Sequence, residues 1–189
     1  MPKPTLQIII ASTRPGRAGL PVAEWFQRQA IAHAAFEVEV VDLAALNLPF
    51  MDEPNHPKLS QYQHQHTKDW SATASRADAF VFVMPEYNHG YSAPLKNAID
   101  YLHREWRFKP VGFVSYGGVA AGTRAVQMLK PTLVALSMTP VFEAVNIPFV
   151  DQSIDDEGDF VPDGIIEKSA VAMLDSLVRW VGTLAPMRG

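Results

Sequence analysis

A short connection with unusually dense chemistry, PEYNHGY at residues 85–91, follows the apolar run AFVFVM. It places a carboxylate at Glu86, an aromatic ring at Tyr87, an amide at Asn88 and an imidazole at His89. A turn alone needs only two or three residues such as glycine, proline or asparagine. Carboxylate, amide and backbone groups can pair with the edge of a flat heterocycle, and a tyrosine offers a planar wall beside it. A polar turn that carries a surface tyrosine is the alternative.

A second polar loop, ASTRPGRAGLP at residues 11–21, follows the first apolar run. It combines the hydroxyls of Ser12 and Thr13 with the guanidinium groups of Arg14 and Arg17 and with flexible glycines. If a helix opens here, its free amides add donors and partial positive charge, so the loop suits a phosphate dianion. Neither the P-loop pattern nor the dinucleotide fingerprint is present. A solvated turn is the alternative.

A third loop, SYGGVAAG at residues 115–122, contains the glycine pair Gly117 and Gly118. Paired glycines let the backbone approach a ligand closely and expose amide donors, although such pairs also occur in ordinary turns. The loop becomes informative only if the fold brings it beside the other two.

The elements that must position these loops are predicted from hydrophobic periodicity. The predicted strands are 6–10, 36–42, 79–84, 111–116 and 140–145, and the predicted helices are 20–33, 62–76, 94–104, 123–136 and a last one through 166–181. Alternating strands and helices close as an α/β doubly wound fold with a five-stranded parallel sheet. The alternating pattern of FEVEVVD predicts an edge strand. Ligands bind outside the carboxyl ends of such strands, so the three loops should meet at one edge.

Composition excludes several other classes of protein. The 189 residues predict one domain over 1–189, and without cysteine the chain has no disulfide, thiolate metal site or cysteine nucleophile. A net charge of −4 argues against a nucleic-acid partner, and no apolar run is long enough for a membrane span or signal peptide. We expect a soluble cytoplasmic protein.

No metal site is predicted from the two candidate clusters. His64 and His66, two positions apart on a helix, would face different directions. The acidic stretch DQSIDDEGDF has Asp156 where a calcium loop requires glycine.

These motifs together resemble the NADPH-dependent FMN reductase family, which includes flavin, quinone and azo reductases. The resemblance covers roughly residues 5–150 and depends on STRPGR, MPEYNHGYSAPLKNAIDYL and VSYGG. It implies a flavodoxin-like three-layer sandwich, FMN as cofactor, NADPH or NADH as co-substrate, a small-molecule electron acceptor, and a homodimer or homotetramer. By position, the FMN-binding residues would be Ser12, Thr13, Arg14, Arg17, Ala18, Gly19, Leu20, Pro85, Glu86, Tyr87, Asn88, Ser115, Tyr116, Gly117 and Gly118.

With FMN bound, we expect the chemistry on the cofactor and no acid–base triad in the protein. Our hypothesis is a ping-pong cycle in which hydride reaches flavin N5 and then an acceptor, while amides near Gly117 and Gly118 stabilise the reduced ring. Glu86 and His89 could relay a proton, although structural or solvated roles explain them more readily. Two arginines against one glutamate favour a reductase over a flavodoxin-like electron carrier or a redox-sensing FMN-binding protein. A flavin-free nucleotide binder is the third alternative.

Two aromatic residues, Trp106 and Phe108, lie between the third predicted helix and the fourth predicted strand. Exposed aromatics often indicate a protein interface, so we expect them at a subunit contact. The alternative is that both rings pack beneath their own loop.

Overall fold

A computed structural model describes residues 2–188 of the chain. The strands are β1 (Thr5–Ile10), β2 (Glu37–Asp42), β3 (Ala79–Pro85), β4 (Pro110–Tyr116), β5 (Thr139–Pro140) and β6 (Val145–Ile147). The α-helices are α1 (Gly19–His33), α2 (Leu43–Leu46), α3 (Gln65–Ser75), α4 (Ala93–Asp100), α5 (Thr123–Ala135) and α6 (Gly164–Leu184). Short 3-10 turns lie at Pro57–Leu59, Arg104–Trp106, Val150–Ser153 and Ala185–Arg188.

The sheet is parallel and has the order β2-β1-β3-β4-β5, with β6 also paired to β4. This is the order of flavodoxin-like folds, so the predicted fold class is confirmed. β3 and β4 are buried along their whole length, as their continuous apolar runs predict. β2 lies at one edge with partly exposed residues, which confirms the prediction from its alternating pattern.

Two hydrophobic cores lie on opposite faces of the sheet and give the predicted three layers. The side-chain alternation of β3 illustrates the division, since Val81 and Val83 belong to one core and Phe80 and Phe82 to the other. The first core includes buried residues of α1 and α6, and the second includes those of α3, α4 and α5. Within residues 2–188, no helix combines the length and hydropathy needed to cross a membrane.

The prediction of one continuous fifth strand over 140–145 is wrong, because the middle of this segment is not in the sheet. β5 pairs with the start of β4 and β6 with its end, while the intervening Phe142 is 95% exposed. Pro140 has no N–H to donate, and the chain beyond Val141 leaves the sheet towards α6, where Glu143 lies 3.5 Å from Arg179. The fifth position of the sheet is therefore shared by two short strands.

Two helix predictions need correction at their ends, one helix was not predicted, and one interface prediction is wrong. α3 begins at Gln65 instead of residue 62, with His64 extended at the N-cap position and the N–H groups of Gln63 and His64 donating to the Glu53 carboxylate at 2.8 and 3.0 Å. α4 ends at Asp100, and α2 was not predicted. Trp106 is fully buried with its indole N–H donating to Ile99 O at 3.0 Å, so the prediction of an exposed interface residue is wrong there. Phe108 is half-buried.

Candidate cofactor site

The loops that follow β1, β3 and β4 meet around a groove of about 360 Å³ at the carboxyl edge of the sheet. Ten of the fifteen predicted residues line it, namely Ser12, Arg14, Arg17, Ala18, Pro85, Glu86, Tyr87, Tyr116, Gly117 and Gly118. The other lining residues, Phe149, Val150, Asp151 and Gln152, follow β6 and were not predicted. Their position at the carboxyl end of another parallel strand was the signal that could have identified them.

One end of the groove is equipped with unused hydrogen-bond donors. α1 begins at Gly19 without a side-chain cap and without an acidic residue in its first turn. Beside it, Arg17 Nε and the Tyr116 hydroxyl are buried and have no hydrogen-bond partner within residues 2–188. Buried polar groups are normally paired, and helix N-termini favour anions. The donor set therefore fits the phosphate end of a bound nucleotide.

Arg17 is held in place by Asp42, at the end of β2. The guanidinium Nη2 donates to Asp42 Oδ2, and Asp42 Oδ1 accepts from Ala44 N at 3.0 Å as the cap of α2. Local sequence patterns do not identify this pair, because the two residues are brought together only by the pairing of β1 with β2. One carboxylate thus orients the arginine and begins the neighbouring helix.

Gly19 is required by the packing of Tyr116 across the start of α1. A Cβ atom at Gly19 would lie 2.4 Å from Tyr116 Oη, well inside contact distance. Burial raises the pKa of the Tyr116 hydroxyl, so that group stays protonated and can donate. The part played by Gly19 is therefore steric.

Two hydrogen bonds fasten the first and second loops together. The Ser12 and Tyr87 hydroxyls share a bond of 2.9 Å, and Ser92 Oγ donates to Ala11 O at 2.7 Å. Ser92 occupies the N-cap position of α4 but makes no capping bond, because its hydroxyl is used between the loops. The bond to Ser12 holds the Tyr87 ring beside the loop that follows β1.

A two-residue hairpin turn explains much of the polar stretch after β3. Tyr87 and Gly90 exchange backbone hydrogen bonds of 2.9 Å in both directions. Between them, Asn88 and His89 have φ values of 50° and 67°, as a type I′ turn requires. Both are exposed and lie outside the groove lining, so this placement does not favour a proton relay through His89.

Glu86 faces the groove as an ionised carboxylate. Burial raises its pKa, but the hydrogen bonds and positive charge of Arg124 outweigh burial and hold the pKa below its ordinary value. Arg124 Nε donates to Glu86 Oε1 at 2.5 Å, and Arg124 N donates to Oε2 at 3.2 Å. An ionised carboxylate is a poor proton donor near neutral pH. The local sequence gave no indication of Arg124, which lies in the first turn of α5.

The glycine pair is tied to the segment after β6. Gly117 N donates to Ile147 O, while the carbonyls of Gly117 and Gly118 accept from Val150 N and Phe149 N, all at 3.3 Å. The Gly117 amide is thus occupied, whereas Gly118 N–H makes no hydrogen bond within residues 2–188 and remains available to a ligand.

The remaining predicted residues lie close to the groove without lining it. Ser115 is fully buried, and its Oγ donates to Ala121 O at 2.8 Å, so it shapes the loop after β4. Leu20 is 40% exposed on the first turn of α1. Thr13 instead lines a neighbouring, largely apolar pocket of about 430 Å³ between α2 and α4.

The two histidines near the start of α3 differ from the prediction. His64 lies before α3 in extended conformation, and its ring stacks on that of His66 with centroids 5.2 Å apart. Both rings contact Asp52, at distances of 3.1 and 2.9 Å. Across residues 2–188, no group of three or more potential ligands is arranged to hold a metal ion.

Comparison with known proteins agrees with this geometry. An NAD(P)H-dependent FMN reductase of Schizosaccharomyces pombe is 37% identical over 148 residues, which are 77% of this chain and 74% of that protein. An FMN-dependent NADPH-azoreductase of Staphylococcus saprophyticus is 25% identical over 178 residues, covering 92% and 93% of the two chains.

The fold has a close match among solved structures. The flavoenzyme NAD(P)H:(acceptor) oxidoreductase FerB from Paracoccus denitrificans superposes with a TM-score of 0.76 at 22% identity, over 96% of this chain and 98% of that one. The family model described as NADPH-dependent FMN reductase matches residues 4–152, which include all three loops of the groove. The chain therefore belongs to the NADPH-dependent FMN reductase family.

Proposed function

We propose that the chain is an NAD(P)H-dependent, FMN-containing reductase that passes electrons to a small acceptor such as a quinone, free flavin or azo dye. Family membership supports the reaction class. The observation in the molecule that carries the proposal is the pair of unpartnered buried donors, Arg17 Nε and Tyr116 Oη, at the uncapped start of α1. We expect the protein to act in the cytoplasm.

FMN would lie along the groove with its phosphate at the start of α1. Arg14 and Arg17 line this end and supply positive charge, and the backbone amides of the first turn of α1 supply further donors. The ring system would lie beside Tyr87, Gly118 and Phe149, which line the other walls. When bound, FMN supplies two-electron redox chemistry that no side chain of the protein can perform.

The protein's own contribution is orientation and electrostatics. Gly118 N–H is a free donor beside the place of the ring and can stabilise negative charge there, since such donors need no reorganisation during reaction. Gly117 N–H is already bonded to Ile147 O, so the pair of amides predicted from the sequence is reduced to one. Glu86, fixed by Arg124, accepts hydrogen bonds and does not deliver a proton.

The reaction order that the groove supports is ping-pong. The groove is open to solvent on the side bordered by the exposed Tyr87 and Phe149. The nicotinamide and the acceptor would use that side in turn, because both must contact the same exposed ring. Initial-rate measurements at several fixed acceptor concentrations should give parallel double-reciprocal lines. Intersecting lines would require both substrates to bind together and would exclude this order.

The charge argument against an electron carrier is weaker in the structure than in the sequence. Arg14 and Arg17 are matched within the groove lining by Glu86 and Asp151, so the lining has no surplus of arginine. The choice of a reductase therefore depends on the family match. Turnover distinguishes the two, because a carrier passes electrons between proteins and does not oxidise NAD(P)H catalytically with a small acceptor.

Self-association into a homodimer or homotetramer is part of the proposal. Phe50, 86% exposed, borders the apolar pocket beside α4 that also contains Leu46 and Pro94. Exposed apolar surface of this kind is characteristic of protein contacts. Size-exclusion chromatography with light scattering should give two or four chains per particle, and a monomer at micromolar concentration would contradict it.

The decisive experiment measures FMN affinity by quenching of flavin fluorescence. Arg17→Gln should weaken FMN binding by about tenfold or more, because a charge-assisted bond to phosphate contributes about 1.5–3 kcal/mol. Arg28→Gln, at an exposed site on α1 that lines none of the pockets described, is the matched control and should bind as the wild type does. Anaerobic NADPH should then bleach the bound flavin. A protein that binds no FMN, or whose flavin keeps its colour, would exclude the proposed function.

A further inference from the structure

A third depression lies at the opposite end of the sheet and is not used by the reductase proposed above. Its volume is about 600 Å³, larger than the cofactor groove. It borders the start of β3 at Asp78 and the start of β4 at Lys109. Because β4 has seven residues and rises about 3.3 Å per residue, the depression is about 20 Å from the groove. The two sites are therefore separate.

Four cations line this depression against two carboxylates. The cations are Arg104, Arg107, Lys109 and Arg188, and the carboxylates are Asp78 and Glu105. The concentration of positive charge contrasts with a formal net charge of −4 for the chain as a whole. Positive charge lining a concave surface raises the local concentration of anions.

The two carboxylates already accept hydrogen bonds from other groups. Glu105 is fully buried and accepts from Ser71 Oγ at 2.6 Å and from Tyr62 OH at 3.1 Å. Asp78 accepts from Thr5 N at 2.8 Å and from Arg188 Nη1 at 2.7 Å. Each carboxylate can offset one cation, so the lining keeps two positive charges in excess.

Two cationic side chains of this lining are incompletely paired. Lys109 is 6% exposed, and Nζ donates to Ala74 O and Ser75 O and lies 5.5 Å from the Phe80 ring centroid, so its third proton has no oxygen or nitrogen acceptor among the described residues. Arg188 Nε is buried and has no hydrogen-bond partner within residues 2–188. Burial and the nearby charge of Arg188 lower the pKa of Lys109 to about 8, and a bound anion would relieve both effects.

The rim of the depression contains a strained residue. Phe108 has a φ of 56°, which is rare for a bulky side chain, and its N–H donates to Ser137 O at 2.9 Å. This conformation places the ring beside Arg107, whose guanidinium carbon lies 5.0 Å from the ring centroid. Strained residues are frequent at ligand sites, and this one lines the depression next to Arg107.

From these observations we propose that the depression formed by Arg104, Arg107, Lys109 and Arg188 is a second binding site for a small molecule carrying a phosphate or pyrophosphate group. Guanidinium and ammonium groups are the usual ligands of phosphate oxygens. The two excess positive charges match one such group, and the cavity is large enough for a small organic moiety attached to it.

The test titrates FMN-saturated protein with pyrophosphate by isothermal calorimetry, so that the cofactor groove is not available to the probe. Wild-type protein should show one site per chain, with an affinity that falls as sodium chloride is raised. The double variant Arg104→Gln/Arg107→Gln should bind about tenfold more weakly or worse, whereas Arg28→Gln should stay within about twofold. Arg104 and Arg107 are exposed, so the double variant should fold and keep its NAD(P)H oxidation rate.

Three results of this titration would overturn the proposal, and a fourth comes from a comparison ligand. These are no saturable binding by the wild type, an unchanged affinity in the double variant, and an equal loss in Arg28→Gln, which would indicate non-specific charge attraction. Citrate is the comparison ligand. If it bound as tightly as pyrophosphate, the assignment to phosphate would be wrong.

Discussion

The contact between Gly19 and Tyr116 gives the most direct test of how the phosphate end of the groove is built. Gly19→Ala adds a Cβ atom 2.4 Å from Tyr116 Oη and 3.3 Å from Cζ, so the ring must move by about 1 Å to restore ordinary contact. Tyr116 is 5% exposed and packed against the core on all sides except the groove that it lines, so the shift would push the ring into the cofactor site. Overpacking of this kind costs about 1–3 kcal/mol of unfolding free energy.

The companion change Tyr116→Phe removes the atom that would clash. In cofactor-free protein this change should be neutral or stabilise by up to about 1 kcal/mol, because the hydroxyl is buried without a partner. In the double variant, the nearest atom to the new Cβ is the ring carbon at 3.3 Å, which is a tight but tolerable contact. The double-mutant cycle should therefore give a coupling energy of at least about 1 kcal/mol in favour of the pair.

Urea unfolding of the cofactor-free proteins measures these free energies. Gly182→Ala is the matched control, because a Cβ there meets nothing within 4 Å and helix propensity should add up to about 1 kcal/mol of stability. FMN affinity provides a second measurement, in which Tyr116→Phe should weaken binding by about tenfold if the hydroxyl donates to phosphate. Equal stability of Gly19→Ala and wild type, or additive effects in the double variant, would refute the steric reasoning.

Three further predictions concern other parts of the molecule. Gly118→Ala should leave the unfolding free energy nearly unchanged, because a Cβ there meets no protein atom, but should weaken FMN binding. Gly122→Ala should lower the unfolding free energy, measured with urea, by more than about 2 kcal/mol, because Gly122 has a φ of +77° and its Cβ would lie 2.8 Å from a backbone atom. Arg124→Gln should destabilise at pH 7, and the difference should disappear as pH falls through the lowered pKa of Glu86, because the protonated carboxyl no longer needs its partner. The unfolding free energy of Lys109→Met should fall by about 3 kcal/mol relative to that of the wild type as pH rises from 8 to 10.5. The pKa of Lys109 is about 8 in the folded protein, below its ordinary 10.5, so only the wild type gains stability by losing this proton across that range. Unfolding free energies that stay parallel across that range would contradict the assignment to Lys109.

The parts of the site that could be predicted depend on short patterns of neighbouring residues, such as apolar runs and the polar loops that follow them. Continuous apolar runs located β3 and β4, and the parallel sheet then required their following loops to meet. Gly117 and Gly118 could be placed at the groove for this reason alone. The ligand-binding groups of each loop could be predicted because they are close together in the chain.

The parts that could not be predicted depend on contacts between distant residues. Asp42, at the end of β2, orients Arg17 in the loop after β1. Arg124, in α5, forms an ion pair with Glu86 in the loop after β3. Phe149 enters the groove only because the fifth strand breaks at Phe142 and resumes beside the end of β4. Periodicity describes which face a residue occupies, but it contains no information on which distant side chain lies opposite.

The two borders of the sheet restrict how chains of this protein can join. Along β2, the outermost strand, Glu37 is exposed and Glu39 is bonded to Arg76, so a neighbouring strand would meet fixed charge. At the other border, β5 and β6 are two and three residues long and interrupted by a proline-containing bend. Charged side chains at the β2 border, and the short, interrupted strands at the other border, both disfavour β-augmentation. Any self-association is therefore expected to use helical and loop surfaces, and the same arrangement disfavours edge-to-edge aggregation of the folded chain.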